Sequence, residues 1–150
     1  MSAGTAAIRT RALLACEPFA ARLGASRVAA AIAAGLREGG RPEPDFVELP
    51  NDADDRRAAE ALEEQGFHRR MLASRAVVIA VAALRERTLA GSAAFEVATL
   101  ARQNGVPCYA VAADVALDAF DLRVLDLQLV LEARGQAALR RAGERLAGVL

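Results

Sequence analysis

The chain has 150 residues, enough for one domain with a sizeable core and too few for a two-domain enzyme with a cleft between its halves. Its 19 basic and 19 acidic side chains cancel to a formal net charge of zero, which leaves no long-range field to gather nucleic acid or anionic lipid. Alanine dominates the 54% hydrophobic fraction, with one Tyr, five Phe and no Trp, so helices are expected to approach a sheet closely.

Residues 1–10 mix Ser, Gly and Thr without a sustained period and read as a flexible leader to a single α/β domain over 11–150. A strand is expected over 12–16. Pro18 and Phe19 then turn the chain, and Ala25, Val28, Ile32 and Leu36 recur every three or four residues. That spacing is the signature of one apolar helix face, which Gly39 and Gly40 end. A turn over 41–44 leads into a short strand over 46–49, stopped by Pro50. Asn51, Asp52 and Asp54 offer N-caps for a helix over 56–64, with Ala58, Ala59 and Leu62 inward and only a weak apolar face.

Residues 66–74 combine a His-Arg-Arg run with Met71 and Leu72 and fit an edge strand or a linker. The run 76–82 is nearly all apolar and rich in β-branched residues, as in a central strand buried on both faces. A helix over 90–103 would turn Ala94, Val97 and Ala101 inward before Asn104 and Gly105 close it. Pro107 starts a strand over 108–112, where a missing N–H is tolerated. A further strand over 124–131 precedes a last helix over 136–146, with Leu139, Gly143 and Leu146 near one face. Strands alternating with helical crossovers predict an α/β fold: a three-layer, Rossmann-like domain with a mostly parallel sheet of four or five strands. Periodicity leaves the strand order open.

Charge is unevenly spread. The stretch 43–64 carries nine carboxylates against Arg56 and Arg57, and the stretch 67–92 carries five arginines against Glu86. Such blocks read first as solvated faces. The basic one lacks interleaved aromatic residues for base stacking, so no nucleic-acid partner is expected. Cys16 and Cys108 fall at strand ends and read as buried thiols; His68 is the only histidine, and no zinc-binding spacing is present. No apolar run approaches membrane-spanning length and the first residues lack a secretory pattern, so a cytoplasmic protein with no membrane partner is expected.

In an open parallel sheet, ligands bind beyond the carboxyl ends of the strands, which directs attention to the loops at 16–26 and 84–92. The run ACEPFAARLGASRVAAAIAAGL from Ala15 to Leu36 resembles the amino-terminal segment of the type I glycerate kinase family, where a strand leads into APDSFKGSLSA and then an apolar helix. Thr88-Leu89-Ala90-Gly91, then Val97-Ala98, Ala101 and Gly105-Val106-Pro107, are similar to that family's QTLxGK helix and GVPV strand. The resemblance spans roughly 12–66 and 76–148, as two halves of one Rossmann-like domain joined near 66–74. It implies phosphoryl transfer from ATP to glycerate in a cleft completed by a second domain, and only a short connector stands between the halves here.

The departures fall at chemical positions. Opposite PDSFKGS stand Cys16, Glu17, Pro18, Phe19, Ala20, Ala21 and Arg22, so the family's lysine is Ala20 and its glycine Ala21. Opposite GEGRxDxQTLxGK, only Thr88, Leu89 and Gly91 match; Val81 and Arg85 stand at the acidic positions, Ala83 at the arginine and Ser92 at the last lysine. The acidic, glycine-rich DGGEG run falls near NDADD at 51–55, without the glycines that let backbone wrap a ligand. Phosphoryl transfer needs cations, and a magnesium ion held by carboxylates, to offset charge on the migrating group, and these loops lack the full set.

No residue is assigned a catalytic role. Arg85, Arg87, Thr88 and Ser92 form the candidate anion-binding cluster, on the expectation that they sit at a helix start; the alternative is solvent-facing arginines with Thr88 as a helix cap. Glu17 and Arg22 are candidate loop contacts, and Asp52, Asp54 and Asp55 a weak metal patch. The expected function is a non-catalytic binding or assembly protein derived from a glycerate-kinase-like domain, homodimeric or joined to another protein, with no cofactor. The alternatives are an ATP-dependent phosphotransferase completed by another subunit, using Mg and ATP, and a sensor of a small anionic metabolite.

Overall fold

Alternation along the central strands sets the layers. In β1 (Ala12–Cys16) all five residues are buried. Leu13 and Ala15 enter one apolar cluster and Ala12, Leu14 and Cys16 the other, as a strand covered on both faces requires. β3 (Ala76–Arg85) divides in the same way, with Val77, Ile79 and Val81 on one side and Ala76, Val78 and Ala80 on the other. These assignments come from a computed structural model that describes residues 9–50, 55–85, 92–118, 123 and 125–150.

The remaining elements are α1 (Ala25–Glu38), β2 (Asp45–Glu48), α2 (Asp55–Glu64), α3 (Phe67–Leu72), α4 (Ala93–Gln103), β4 (Cys108–Ala116), β5 (Leu127–Glu132) and α5 (Gly135–Ala147). The five strands form one sheet in the order β2-β1-β3-β4-β5, and every neighbouring pair is parallel. Helices α1 and α5 cover one face through Val28, Ile32, Leu36, Leu139 and Leu146. Helices α2, α3 and α4 cover the other through Leu62, Phe67, Met71, Val97 and Ala101. The fold is therefore α/β, three-layered and Rossmann-like, with a doubly wound order whose direction reverses between β1 and β3.

Several local expectations are corrected. Residues 67–72 form helix α3 rather than an edge strand or linker: Phe67 and Met71, one helical turn apart, are both buried, at 1% and 0% exposure. Burying two such side chains stabilises by about 3 kcal/mol or more, which outweighs propensity differences of a few tenths per residue in the His-Arg-Arg run. Gly66, at φ 67°, stops α2 and opens α3 in a left-handed conformation that a side chain would strain. Ala59 is exposed, so Ala58 and Leu62 alone of the predicted trio face inward. β3 runs to Arg85 and β4 to Ala116 because they keep pairing, Leu84 with Val115 and Arg85 with Ala116. β5 begins at Leu127, after a left-handed residue at Asp126, rather than at 124.

Helices α1 and α5 meet backbone to backbone. A Cβ on Gly35 would overlap Arg140 O and Glu144 N, and one on Gly143 would overlap Ile32 O. The paired glycines thus set the distance between the helices. Arg41 locks the end of this layer by donating from Nε to Ala147 O at 2.9 Å and from Nη2 to Leu150 O, which satisfies carbonyls that a helix end leaves open. At the edge strand β2, Asp45 accepts Arg70 Nε at 2.8 Å and Nη2 at 2.5 Å, while Arg70 also donates to Phe46 O at 2.7 Å and Gln65 O at 3.1 Å. One guanidinium therefore ties α3 to the sheet edge.

Candidate functional site

The reversal between β1 and β3 opens a crevice at the carboxyl ends of these two strands, and the residues leaving β1 build its wall. Glu17 N–H donates to Ala80 O at 2.9 Å, continuing the ladder one residue past the strand. Its carboxylate then turns across the gap, and Oε1 accepts Ala82 N–H at 2.9 Å. A side chain here takes the place of a missing backbone carbonyl, so Glu17 bridges β1 to β3 where the sheet would otherwise part.

Beyond Glu17 the chain makes a tight turn, with Phe19 N–H donating to Leu23 O at 2.9 Å and Leu23 N–H to Ala20 O at 3.0 Å. The turn delivers Gly24 to the N-cap of α1, in an extended conformation and without a side-chain cap. No acidic residue stands in the first turn of α1. Arg22, Ser26 and Arg27, all exposed, line a shallow cavity of about 500 Å³ with Ala21 and Gly24. Two guanidinium groups, a hydroxyl and the positive end of the helix dipole suit a small anion.

Of the predicted anion cluster, Arg85 and Ser92 fall within the described residues. Arg85 ends a strand rather than opening a helix, and its Nε donates to Asp114 Oδ2 of β4 at 3.0 Å, with Nη2 on the same oxygen. Arg134 Nη2 lies 4.0 Å from the other oxygen of Asp114, so that carboxylate gathers two cations across the strand ends. Ser92 caps the described helix α4: its hydroxyl accepts Phe95 N–H at 3.1 Å. Arg87 and Thr88 lie outside the described residues.

Of the acidic patch, Asp52 and Asp54 lie outside the described residues and Asp55 contributes the first residue of α2. Among the described residues no group of three His, Cys, Asp or Glu is placed to hold a metal ion. Of the leader predicted over 1–10, residues 1–8 are likewise outside them.

Both cysteines are buried and unpaired with each other, as read from the sequence. Burial pushes the Cys16 thiol well above its ordinary value, and burial with a contribution from Asp126 pushes Cys108 up to about 12. Neither supplies a thiolate at neutral pH. No helix among the described residues is long and apolar enough to cross a membrane.

Sequence reasoning singled out Glu17 and Arg22 but missed Ser26, Arg27 and Asp114. Ser26 and Arg27 were legible as the residues after a glycine opening an apolar helix. Asp114 was not, because its meeting with Arg85 depends on how β3 and β4 are paired. No protein-family model matches the chain, and no curated protein matches it.

Proposed function

We propose that this chain is a non-catalytic binding or assembly module built on a glycerate-kinase-like domain, cytoplasmic and self-associating. The observation that carries the reading is Glu17. It is the carboxylate retained at the first strand-to-helix junction, and it is engaged in accepting Ala82 N–H, a structural tie between β1 and β3. Arg85 is similarly drawn onto Asp114. A phosphotransferase needs such groups directed at magnesium and at the migrating phosphate. Self-association is supported by a shallow groove of about 340 Å³ along α1 and α5, where Ala30, Ala31 and Ala137 leave low relief between Arg27 and Arg140.

A second reading, sensing of a small anionic metabolite, is favoured by Arg22, Ser26 and Arg27 around the uncapped start of α1. Incubation with magnesium, ATP and a panel of hydroxy acids separates these readings from a phosphotransferase completed by another subunit. The module gives no ADP above the rate of Mg–ATP alone, and sustained turnover overturns it. Calorimetric titration with inorganic phosphate then tests the sensor: saturable binding, weakened about tenfold by Arg22→Ala with Arg27→Ala, supports it. Binding that ignores both substitutions removes it.

A further inference from the structure

A second concave site lies on the opposite helical layer, away from the strand-end crevice. Leu62 of α2 and Phe67 of α3, buried at 2% and 1% exposure, form its floor, and Ala59 and Leu100 line its apolar wall. Glu63 on α2 and Glu96 on α4 stand at its rim, with His68 of α3 beside them. Neither carboxylate has an ion-pair partner among the described residues. Arg56 is paired with Glu60 and Arg70 with Asp45 on the sheet edge.

The volume decides what class of occupant fits. At about 140 Å³ the pocket is well below the roughly 300–1,000 Å³ of sites that enclose a whole metabolite, and it has room for one aliphatic side chain. Two of the three large hydrophobic side chains exposed among the described residues, Leu72 and Phe95, are on α3 and α4, helices that also line the pocket. Leu72 follows His68 by four residues and so continues its stripe by one turn. An apolar socket set between two unpaired carboxylates calls for a side chain that is apolar, flanked by positive charge.

We propose that the pocket between α2, α3 and α4 is a docking site for a basic amphipathic segment of a partner protein, which inserts one aliphatic side chain over Leu62 and Phe67 and sets lysine or arginine groups against Glu63 and Glu96. The apolar anchor supplies most of the affinity, and the rim charges select the partner and speed its arrival. The inference stands independently of any reading of the strand-end crevice.

The test is a titration of the ¹⁵N-labelled chain with a short amidated peptide of alternating lysine and leucine turns, followed by NMR. Saturable shifts confined to the amides around 62–68 and 96–100 are expected. Replacing the peptide's leucines by serine, or its lysines by glutamate, should abolish them. The rim variant Glu63→Gln with Glu96→Gln, exposed at the first position and half-buried at the second, should keep the parent's unfolding midpoint within a few degrees and bind the lysine-leucine peptide about tenfold more weakly. Equal affinity of that variant, equal binding of the glutamate peptide, or shifts centred on another face would each overturn the proposal. Concentration-dependent shifts at the same amides without peptide would overturn it too, by making a second copy the occupant.

Discussion

Glu17 shows how one side chain can finish a sheet. Because its carboxylate accepts Ala82 N–H, Glu17→Ala leaves a half-buried donor to find another partner, at a cost of about 1–3 kcal/mol. Glu17→Gln keeps a carbonyl oxygen there and should cost less than half as much. Urea unfolding of the two variants measures the difference, and equal losses would mean that the hydrogen bond contributes little.

Asp45 gives a second residue-scale expectation. The hydrogen-bonded Arg70 guanidinium holds its carboxyl below the ordinary carboxylate value, aided by Phe46 N–H and opposed by partial burial. A carboxyl depressed on folding contributes stability above its unfolded value, near 4, and loses it as pH falls through the lower folded value. Asp45→Asn should therefore cost about 2 kcal/mol at pH 7, a gap that closes under strongly acidic conditions. Unfolding curves at neutral and acid pH check the sign. These pairings were not legible in the sequence: Asp45 and Arg70 are 25 positions apart, and meet only because α3 is a helix packed beside β2.

Among the elements, the α1/α5 crossing depends most on a residue type. Gly35 and Gly143 face each other where any Cβ would enter the other helix's backbone. Gly143→Ala should destabilise by about 1–3 kcal/mol, although alanine is the better helix former by nearly 1 kcal/mol. Thermal unfolding of Gly143→Ala beside an exposed control, Gln136→Ala, separates crowding from propensity. A stabilised Gly143→Ala would show that the helices can move apart.

The long elements were readable because their burial is periodic: Val28, Ile32 and Leu36 of α1, and Val97 and Ala101 of α4, all face inward as their spacing requires. α3 escaped because six residues give less than two turns of pattern, and its polar His68-Arg69-Arg70 run hides the Phe67–Met71 pair. The expected start of α4 at 90 and its Thr88 cap lie outside the described residues, within which the hydrogen bond from Phe95 N–H identifies Ser92 as the cap.

For the whole molecule, the alternation of strands and helices disclosed the layered α/β class, whereas the order β2-β1-β3-β4-β5 required the pairing itself. That order makes the crevice between β1 and β3, and so decides that Glu17 faces Ala82 rather than open solvent. Sequence reasoning singled out Glu17 at this junction as a loop contact and did not reveal that its carboxylate accepts Ala82 N–H.

The most direct measurement compares ADP release by the parent chain and by Glu17→Gln, side by side, with Mg–ATP and hydroxy-acid acceptors. A binding module with a structural Glu17 predicts that both traces coincide with the enzyme-free control, while phosphate titrations of the two proteins agree. Turnover by the parent that vanishes in Glu17→Gln, at an unchanged unfolding midpoint, would contradict it and make that carboxylate part of a working phosphotransfer site.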